Sequence, residues 1–278
     1  TGHQFAVTEG GAATVSIPIQ VPRGIGGLEP QLSLNYSSSA GNGLLGVGWT
    51  LSGPSAITRC GKTIPVDSER GSVTFTTSDR FCLDGQRLVA DGSTDATYGN
   101  ANTVYWTERE SFSRVTAVGS YSTGVPAGFR VHTKSGLIME SGAFVDIPGS
   151  SDAQVLTKPV DTSAPTISRW MLKRISDRMA VPNTVEFFYC AREVTGSSCS
   201  TGGSYTGSTV LHYIRYTNRG STPGTNAVMF GYQAREDRAL KFQAGMSQVQ
   251  TQRMNAITTY LGFTSPASPG EAVKRYEL

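Results

Sequence analysis

At 278 residues the chain is long enough to bury a substantial core, as one large domain or two smaller ones. Its 32 Gly, 13 Pro and only 16% charged residues argue against a helix-rich chain and for an all-β fold of many short strands joined by turns, with little helix. The net charge of +3 comes from scattered Lys and Arg without a basic run, so nucleic acid is not an expected partner, and no apolar run approaches the roughly 18–20 residues that cross a bilayer as a helix, so direct membrane insertion is not expected either.

The first strand spans residues 13–22, with Ala13, Val15, Ile17, Ile19 and Val21 on one face and Thr14, Ser16, Pro18, Gln20 and Pro22 on the other. Pro18 has no N–H to give, which places this strand at a sheet edge or at a bulge. After a Pro/Gly turn, Leu32, Leu34 and Tyr36 repeat the half-buried pattern. Residues 44–50 are apolar but broken by Gly46 and Gly48, the mark of a strand that bends sharply or is approached closely by another backbone, with Trp49 as its core anchor.

Short strands are expected at 55–60, 72–76, 80–82 and 87–90, the last two joined by an Asp84-Gly85 turn, and the whole reads as a meander. Residues 91–103 (DGSTDATYGNANT) form an exposed loop in this reading. Strands return at 104–108, 114–118, 128–133 and 137–140, with Ser135-Gly136 turning the last pair into a hairpin.

Residues 146–165, rich in Ser, Thr, Pro and Asp, read as a linker, insertion or lid. Beyond them, 170–175, 184–190, 209–216 and 227–232 are apolar on both faces: Val185, Phe187 and Tyr189 oppose Phe188 and Cys190. Both sides then need cover, as in stacked sheets or a shell packed on a further domain. Residues 248–261 fit helical spacing incompletely and are assigned to strand. The expected organisation is a β meander over 1–145, a linker or insertion over 146–166, and a second β region over 167–278 that can continue the first. The architecture is antiparallel sheets, stacked or curved, as a β-sandwich or shell. The closing VKRYEL reads as strand in mid-stride, so a segment of a longer polypeptide is expected.

The chemistry-bearing residues are sparse. Cys60, Cys82, Cys190 and Cys199 lack a C-x-x-C spacing and a neighbouring His, which argues against zinc; local disulfides 60–82 and 190–199 are the economical pairing, and buried free thiols are the alternative. A 190–199 bridge would restrain a Gly/Ser-rich loop by about 2–3 kcal/mol, and both bridges together imply an oxidising destination. His3 falls in the terminus, and His132 and His212 fall in expected strands as structural residues. G-x-S-x-G is absent, the glycines of 41–48 lack a following Lys-Ser/Thr, and Asp91 and Asp95 lack a calcium-loop rhythm. No catalytic, cofactor-binding or metal-binding residue is assigned, and no cofactor is expected.

The run GGLEPQLSLNYSSSAGNGLLGVGWTLSGPSAITRC (residues 26–60) resembles the opening of the SpvB/TcdB family, the N-terminal region of the B components of insecticidal Tc toxin complexes. SDRFCLDGQRL (78–88), YWTERESFSRV (105–115), TKSGLIMESG (133–142) and WMLKRISDR (170–178) resemble later blocks of that region in order, and segments after Asn183 resemble degenerate Rhs/YD-type hairpins. Glu108-Arg109-Glu110 has the Glu-x-Glu form of ADP-ribosyltransferases, which SpvB-type proteins carry in a separate C-terminal domain. Here it lies in a block of the N-terminal region, as two Glu on one strand face.

The resemblance implies a non-enzymatic structural module of a large, secreted or surface-located bacterial toxin, contributing to a β-sheet shell around a C-terminal toxic segment. Its implied partners are the rest of that polypeptide and other toxin-complex subunits, and the isolated segment is expected to be monomeric. Interaction surfaces are sought at the edge near Pro18 and in the 91–103 and 146–165 segments. Two other classes remain: a carbohydrate-binding or adhesive β-sandwich using Tyr98, Tyr105, Trp106 and Tyr121 as exposed aromatics, and a glycosidase, for which no carboxylate pair stands out.

Overall fold

The computed structural model describes residues 2, 4–92, 97–147, 149–157, 165–190, 194–199, 209–238, 240–243 and 246–278. His3 and Asp95 lie outside them. Strands β1 (Gln4–Val7), β2 (Ala13–Pro18) and β3 (Ser33–Ser37) are followed by a tight hairpin of β4 (Asn42–Gly43) and β5 (Gly46–Val47), and by β6 (Trp49–Ser52). Then come β7 (Ala56–Cys60), one helical turn α1 (Ile64–Asp67), β8 (Arg80–Leu83), β9 (Gln86–Ala90), β10 (Val104–Thr107), β11 (Arg114–Val118), β12 (Gly128–His132) and β13 (Ile138–Gly142). A 3-10 turn (Ser150–Ala153) leads to β14 (Gln154–Thr157), β15 (Thr166–Ser176) and β16 (Asn183–Cys190), and a small hairpin to β17 (Val194–Thr195) and β18 (Ser198–Cys199). The chain continues with β19 (Val210–Arg219), β20 (Asn226–Ala234), a second small hairpin of β21 (Leu240–Gln243) and β22 (Met246–Val249), then β23 (Gln252–Leu261) and β24 (Glu271–Glu277).

β7 to β13 form an antiparallel meander, and β15 closes it by pairing with β13 on one side and β7 on the other, giving an eight-stranded barrel. Alternation decides what fills it: Val115 and Ala117 of β11, Phe129 and Val131 of β12, and Tyr105 of β10 point inward and are buried. A bulge between Val155 and Leu156 of β14 leaves Ser168 of β15 as the extra residue, so Ile167 and Trp170 both reach the barrel core. Phe81 lies 5.3, 5.1 and 5.2 Å from the rings of Tyr98, Phe129 and Trp170, so the interior is packed with aromatics.

β15 then leaves the barrel and seeds a second sheet, running β15-β16-β19-β20-β23-β24, which is continuous with the barrel wall in one 14-stranded sheet. One face of that sheet, with Val185, Phe187, Ile214, Val228 and Ile257, packs against Leu34 of β3 in the amino-terminal layer β1-β2-β3-β6, against Ile19 and Leu32 in the connection from β2 to β3, and against Leu45 in the β4–β5 turn. The opposite face holds Phe188 stacked on Tyr213 at 4.3 Å, with Lys173 over the Phe188 ring at 4.2 Å. The Lys173 ammonium and the Arg215 guanidinium thus both lie over the Phe188 ring on the second apolar face.

Several expectations change. β2 is not an edge: β1 flanks it from Ala13 to Ser16 and β3 flanks the other side, and Pro18 is accommodated because β1 stops short of it. The segment 72–76 is not a strand; Thr74 and Phe75 donate backbone N–H groups to Asp79, and Phe75 adopts φ 61°. Residues 44–50 split between the β4–β5 hairpin and β6, because Gly48 turns at φ +81° beneath Tyr36, whose ring a Cβ would meet at 2.5 Å. In the start of the expected linker Ile147, Ala153 and Val155 are buried, and β14 (Gln154–Thr157) pairs with β15.

The 91–103 loop is not merely exposed either. Its described part folds back over the barrel end, where Tyr98 accepts the Phe81 N–H and donates to the Leu88 carbonyl, and Gly99 donates to the Tyr105 hydroxyl. Gly99 sits at φ +87° with the Gly124 carbonyl oxygen 2.2 Å from where a Cβ would be. Gly99→Val is therefore expected to cost about 2 kcal/mol or more, read as a lowered urea midpoint, by expelling the loop from the barrel end.

Candidate functional site

The described surface offers three places where this architecture meets its surroundings. The first is an open cleft of about 800 Å³ beside the barrel, lined by Lys62, Thr63, Gln86, Arg87, Glu108 and Arg109 and by the disulfide-bonded Cys60 and Cys82. Behind this lining lies Asp67, brought in by α1: its carboxylate accepts Arg80 Nε at 2.8 Å, Arg87 at 2.7 Å and the Thr63 N–H at 2.8 Å, so it braces two of the lining residues, Thr63 and Arg87. Burial alone would raise this carboxyl, but the Thr63 N–H and the two guanidinium groups outweigh it and hold the pKa below the usual carboxylate value. Asp67 is a brace rather than a proton donor.

The second place is a groove of about 510 Å³ on the outer barrel face, lined by Trp106, Glu110, Phe112, Arg114, His132, Thr133 and Arg178. Burial, followed by Arg178, Arg130 and Arg114, pushes the His132 imidazole below its ordinary pKa, so it is neutral at neutral pH. The Glu-x-Glu pair does not share a strand face: β10 ends at Thr107, and Glu108 and Glu110 turn into these two different depressions. The aromatic set is also divided. Tyr98 (7% exposed) and Tyr105 (0%) belong to the barrel core, where burial raises both phenols, whereas Trp106 (38%) and Tyr121 (37%) are on the surface. Only Trp106, joined by Phe112, remains as an aromatic platform on the groove.

Buried acids elsewhere are held by cations. Asp79 meets Arg59 at 3.3 Å, Glu140 lies between Arg130 and Arg174 at 2.8 and 2.6 Å, and Asp152 meets Lys173 at 3.0 Å. Each pair ties segments distant in sequence, so these charges act as cross-braces. Arg235 does the same for the β4–β5 hairpin, donating to Gly43 O at 2.7 Å and bonding Asn42.

The third place is the set of open sheet edges. Among the described residues β24 pairs only with β23, and β1 only with β2, leaving one edge of each strand without a partner strand. β24 is also clasped to the amino-terminal layer: Tyr276 Oη accepts the Gln20 N–H at 2.8 Å, and Lys274 bonds the Gln20 side chain. Between the layers Ile17, Leu34, Leu45, Trp49, Tyr276 and Leu278 line an apolar mouth of about 460 Å³. Pro18 does lie where β2 has one open side, past the end of β1, but the open edge of β24 was not legible, because which strand stays unpaired depends on long-range pairing.

The model of the SpvB family, described as the Salmonella virulence plasmid 65kDa B protein, matches residues 7–244. The chain belongs to the SpvB family. Solved structures share its fold. This SpvB-family chain is similar to a crystal structure of TcdB2-TccC3 (TM-score 0.68, 18% identity), over 99% of this chain and 15% of that one. It is similar to the Tc holotoxin pore of Photorhabdus luminescens (TM-score 0.71, 20% identity), over 100% of this chain and 14% of that one. It is also similar to the N-terminal domain of effector protein SpvB from Salmonella typhimurium strain LT2 (TM-score 0.65, 20% identity), over 93% of this chain and 92% of that domain. The chain thus spans about one-seventh of the Tc chains and nearly all of the SpvB domain. No curated protein sequence matches it.

The SpvB-family match runs well past Asn183, into the second sheet, which agrees with a barrel and sheet that share β15. Sequence reasoning missed Asp67, whose role depends on one helical turn set by Pro65, and the open edge of β24. The Pro after Ile64 was the available signal for that turn.

Proposed function

We propose that this SpvB-family chain is a non-enzymatic wall module of a larger, secreted bacterial toxin, in which it forms part of a β-sheet shell that encloses or presents a toxic domain. The reading rests on the unbroken antiparallel path from the barrel through β15 to the open edge of β24, which suits a wall that continues by strand addition. A barrel filled by Phe81, Tyr105, Phe129 and Trp170, and buried acids braced by cations, favour rigidity over chemistry. The likeness to segments of Tc toxin chains supports toxin subunits and the remainder of the same polypeptide as its partners.

Hydrogen exchange tests this. The outward amides of β24 should exchange freely in the isolated chain and at least about tenfold more slowly in the parent polypeptide, where the next strand covers them. Equal exchange in both contexts contradicts the wall reading. The Trp106–Phe112 groove favours glycan binding as a second reading; a glycan array on the chain and on Trp106→Ala separates the two, since wall assembly does not depend on Trp106.

A further inference from the structure

The second disulfide lies against a buried histidine whose ring meets Tyr213 edge-on at 5.3 Å. Cys190 ends β16 and is bonded to Cys199 of β18. In the pairing of β16 with β19, Phe188 opposes Tyr213 and Tyr189 opposes Leu211, so His212 is the extra residue of a bulge. A bulge re-aims its side chain, and this one brings a ring nitrogen of His212 within 4.8 Å of both sulfurs. His212 is 5% exposed, and its Nε2 is buried with no hydrogen-bond partner among the described residues. An orphaned buried nitrogen carries a desolvation cost that calls for an explanation. Around the cluster Val194, Val210, Leu44 and Tyr232 supply an apolar wall.

We propose that Cys190, Cys199 and His212 form a redox-gated site for a thiophilic divalent cation, with zinc as the best match. In the oxidised chain the two sulfurs are a cross-link and cannot serve as thiolate ligands. A dithiol reductant breaks the Sγ–Sγ bond: two electrons and two protons pass to the cysteines, and the reductant closes its own disulfide. Zinc then displaces the two thiol protons and binds two thiolates and the imidazole, leaving a fourth position for water. Zn–S bonds of about 2.3 Å and Zn–N bonds of about 2.0–2.1 Å put tetrahedral donors roughly 3.5–3.8 Å apart, so the sulfurs part from bonding distance on reduction while the His212 nitrogen already lies within 4.8 Å of both. Two sulfurs and one imidazole favour zinc over calcium or magnesium, which take oxygen ligands. The site would thus be closed in an oxidising compartment and open in a reducing one.

Cobalt(II), a spectroscopic substitute for zinc, tests this on the whole chain. After reduction by a phosphine, one equivalent of cobalt should give tetrahedral visible bands and a thiolate charge-transfer band, and zinc should displace it. The oxidised chain should give neither. Cys60→Ser/Cys82→Ser should retain the signal, Cys190→Ser should abolish it, and His212→Asn should weaken binding at least about tenfold, the minimum set by the loss of an outer-shell partner. A reduced chain without the charge-transfer band overturns the proposal. So does a signal lost with Cys60 and Cys82, equal binding by the oxidised chain, or His212→Asn within tenfold of the parent. Should His212→Asn misfold by circular dichroism, X-ray absorption of the reduced, zinc-loaded parent decides: two sulfurs with an imidazole nitrogen support the site, and a shell without that nitrogen refutes it.

Discussion

Trp170→Ala is expected to lower the unfolding free energy by about 3–5 kcal/mol, measured by urea denaturation followed by circular dichroism. Trp170 is fully buried on the strand that closes the barrel, with its ring edge-on to Phe81 at 5.2 Å and to Phe129 at 5.1 Å. Each such aromatic pair is worth about 0.5–1.5 kcal/mol beyond area burial. The indole N–H also satisfies the Pro126 carbonyl at 3.0 Å, which alanine would leave without that donor. Trp106→Ala is the internal control. It faces outward from β10, and its removal should cost well under half as much.

Asp67→Asn is expected to cost about 3 kcal/mol, the lower end of the range for a broken buried ion pair, because the site borders an open cleft. The asparagine keeps one acceptor but removes the negative charge that faces Arg80 and Arg87. The pH dependence has a definite sign. The folded-state pKa of Asp67 is depressed below the ordinary aspartate value it has in the unfolded chain, so its contribution is complete above that value and fades as pH falls through the folded pKa. Acid titration of stability should therefore show a drop below about pH 4 that is smaller in Asp67→Asn. An unchanged acid limb contradicts the assignment of Asp67 as the brace of Arg80 and Arg87.

Local patterns carried the elements but not their partners. The alternation of Leu32 and Leu34 marked a real strand, and the Asp84-Gly85 and Ser135-Gly136 turns do join β8 to β9 and β12 to β13, with Gly85 and Gly136 at positive φ. The cysteines pair as 60–82 and 190–199. Barrel closure was not legible, because it depends on β7 and β13 finding β15, more than thirty residues later in sequence, and period-two alternation is the same for every possible partner. Tyr98 was read as a surface aromatic because its neighbours are polar; a loop that folds back over a barrel end needs only one ring pointing inward. Glu108 and Glu110 were placed on one face because the strand was extended past Thr107, where the chain in fact turns. His212 does fall in a strand, β19, but as the extra residue of a bulge, which alternation does not reveal because a bulge re-aims a side chain without altering the hydrophobic rhythm around it.

The central claim is that this chain is a length of wall. A cryo-electron microscopy reconstruction of the larger polypeptide proposed above tests it most directly. The account predicts that a further strand hydrogen-bonds to the open edge of β24, carrying the 14-stranded sheet onward while the barrel stays packed and closed. A β24 edge left in solvent, with the barrel projecting as an appendage around a bound substrate, would contradict it.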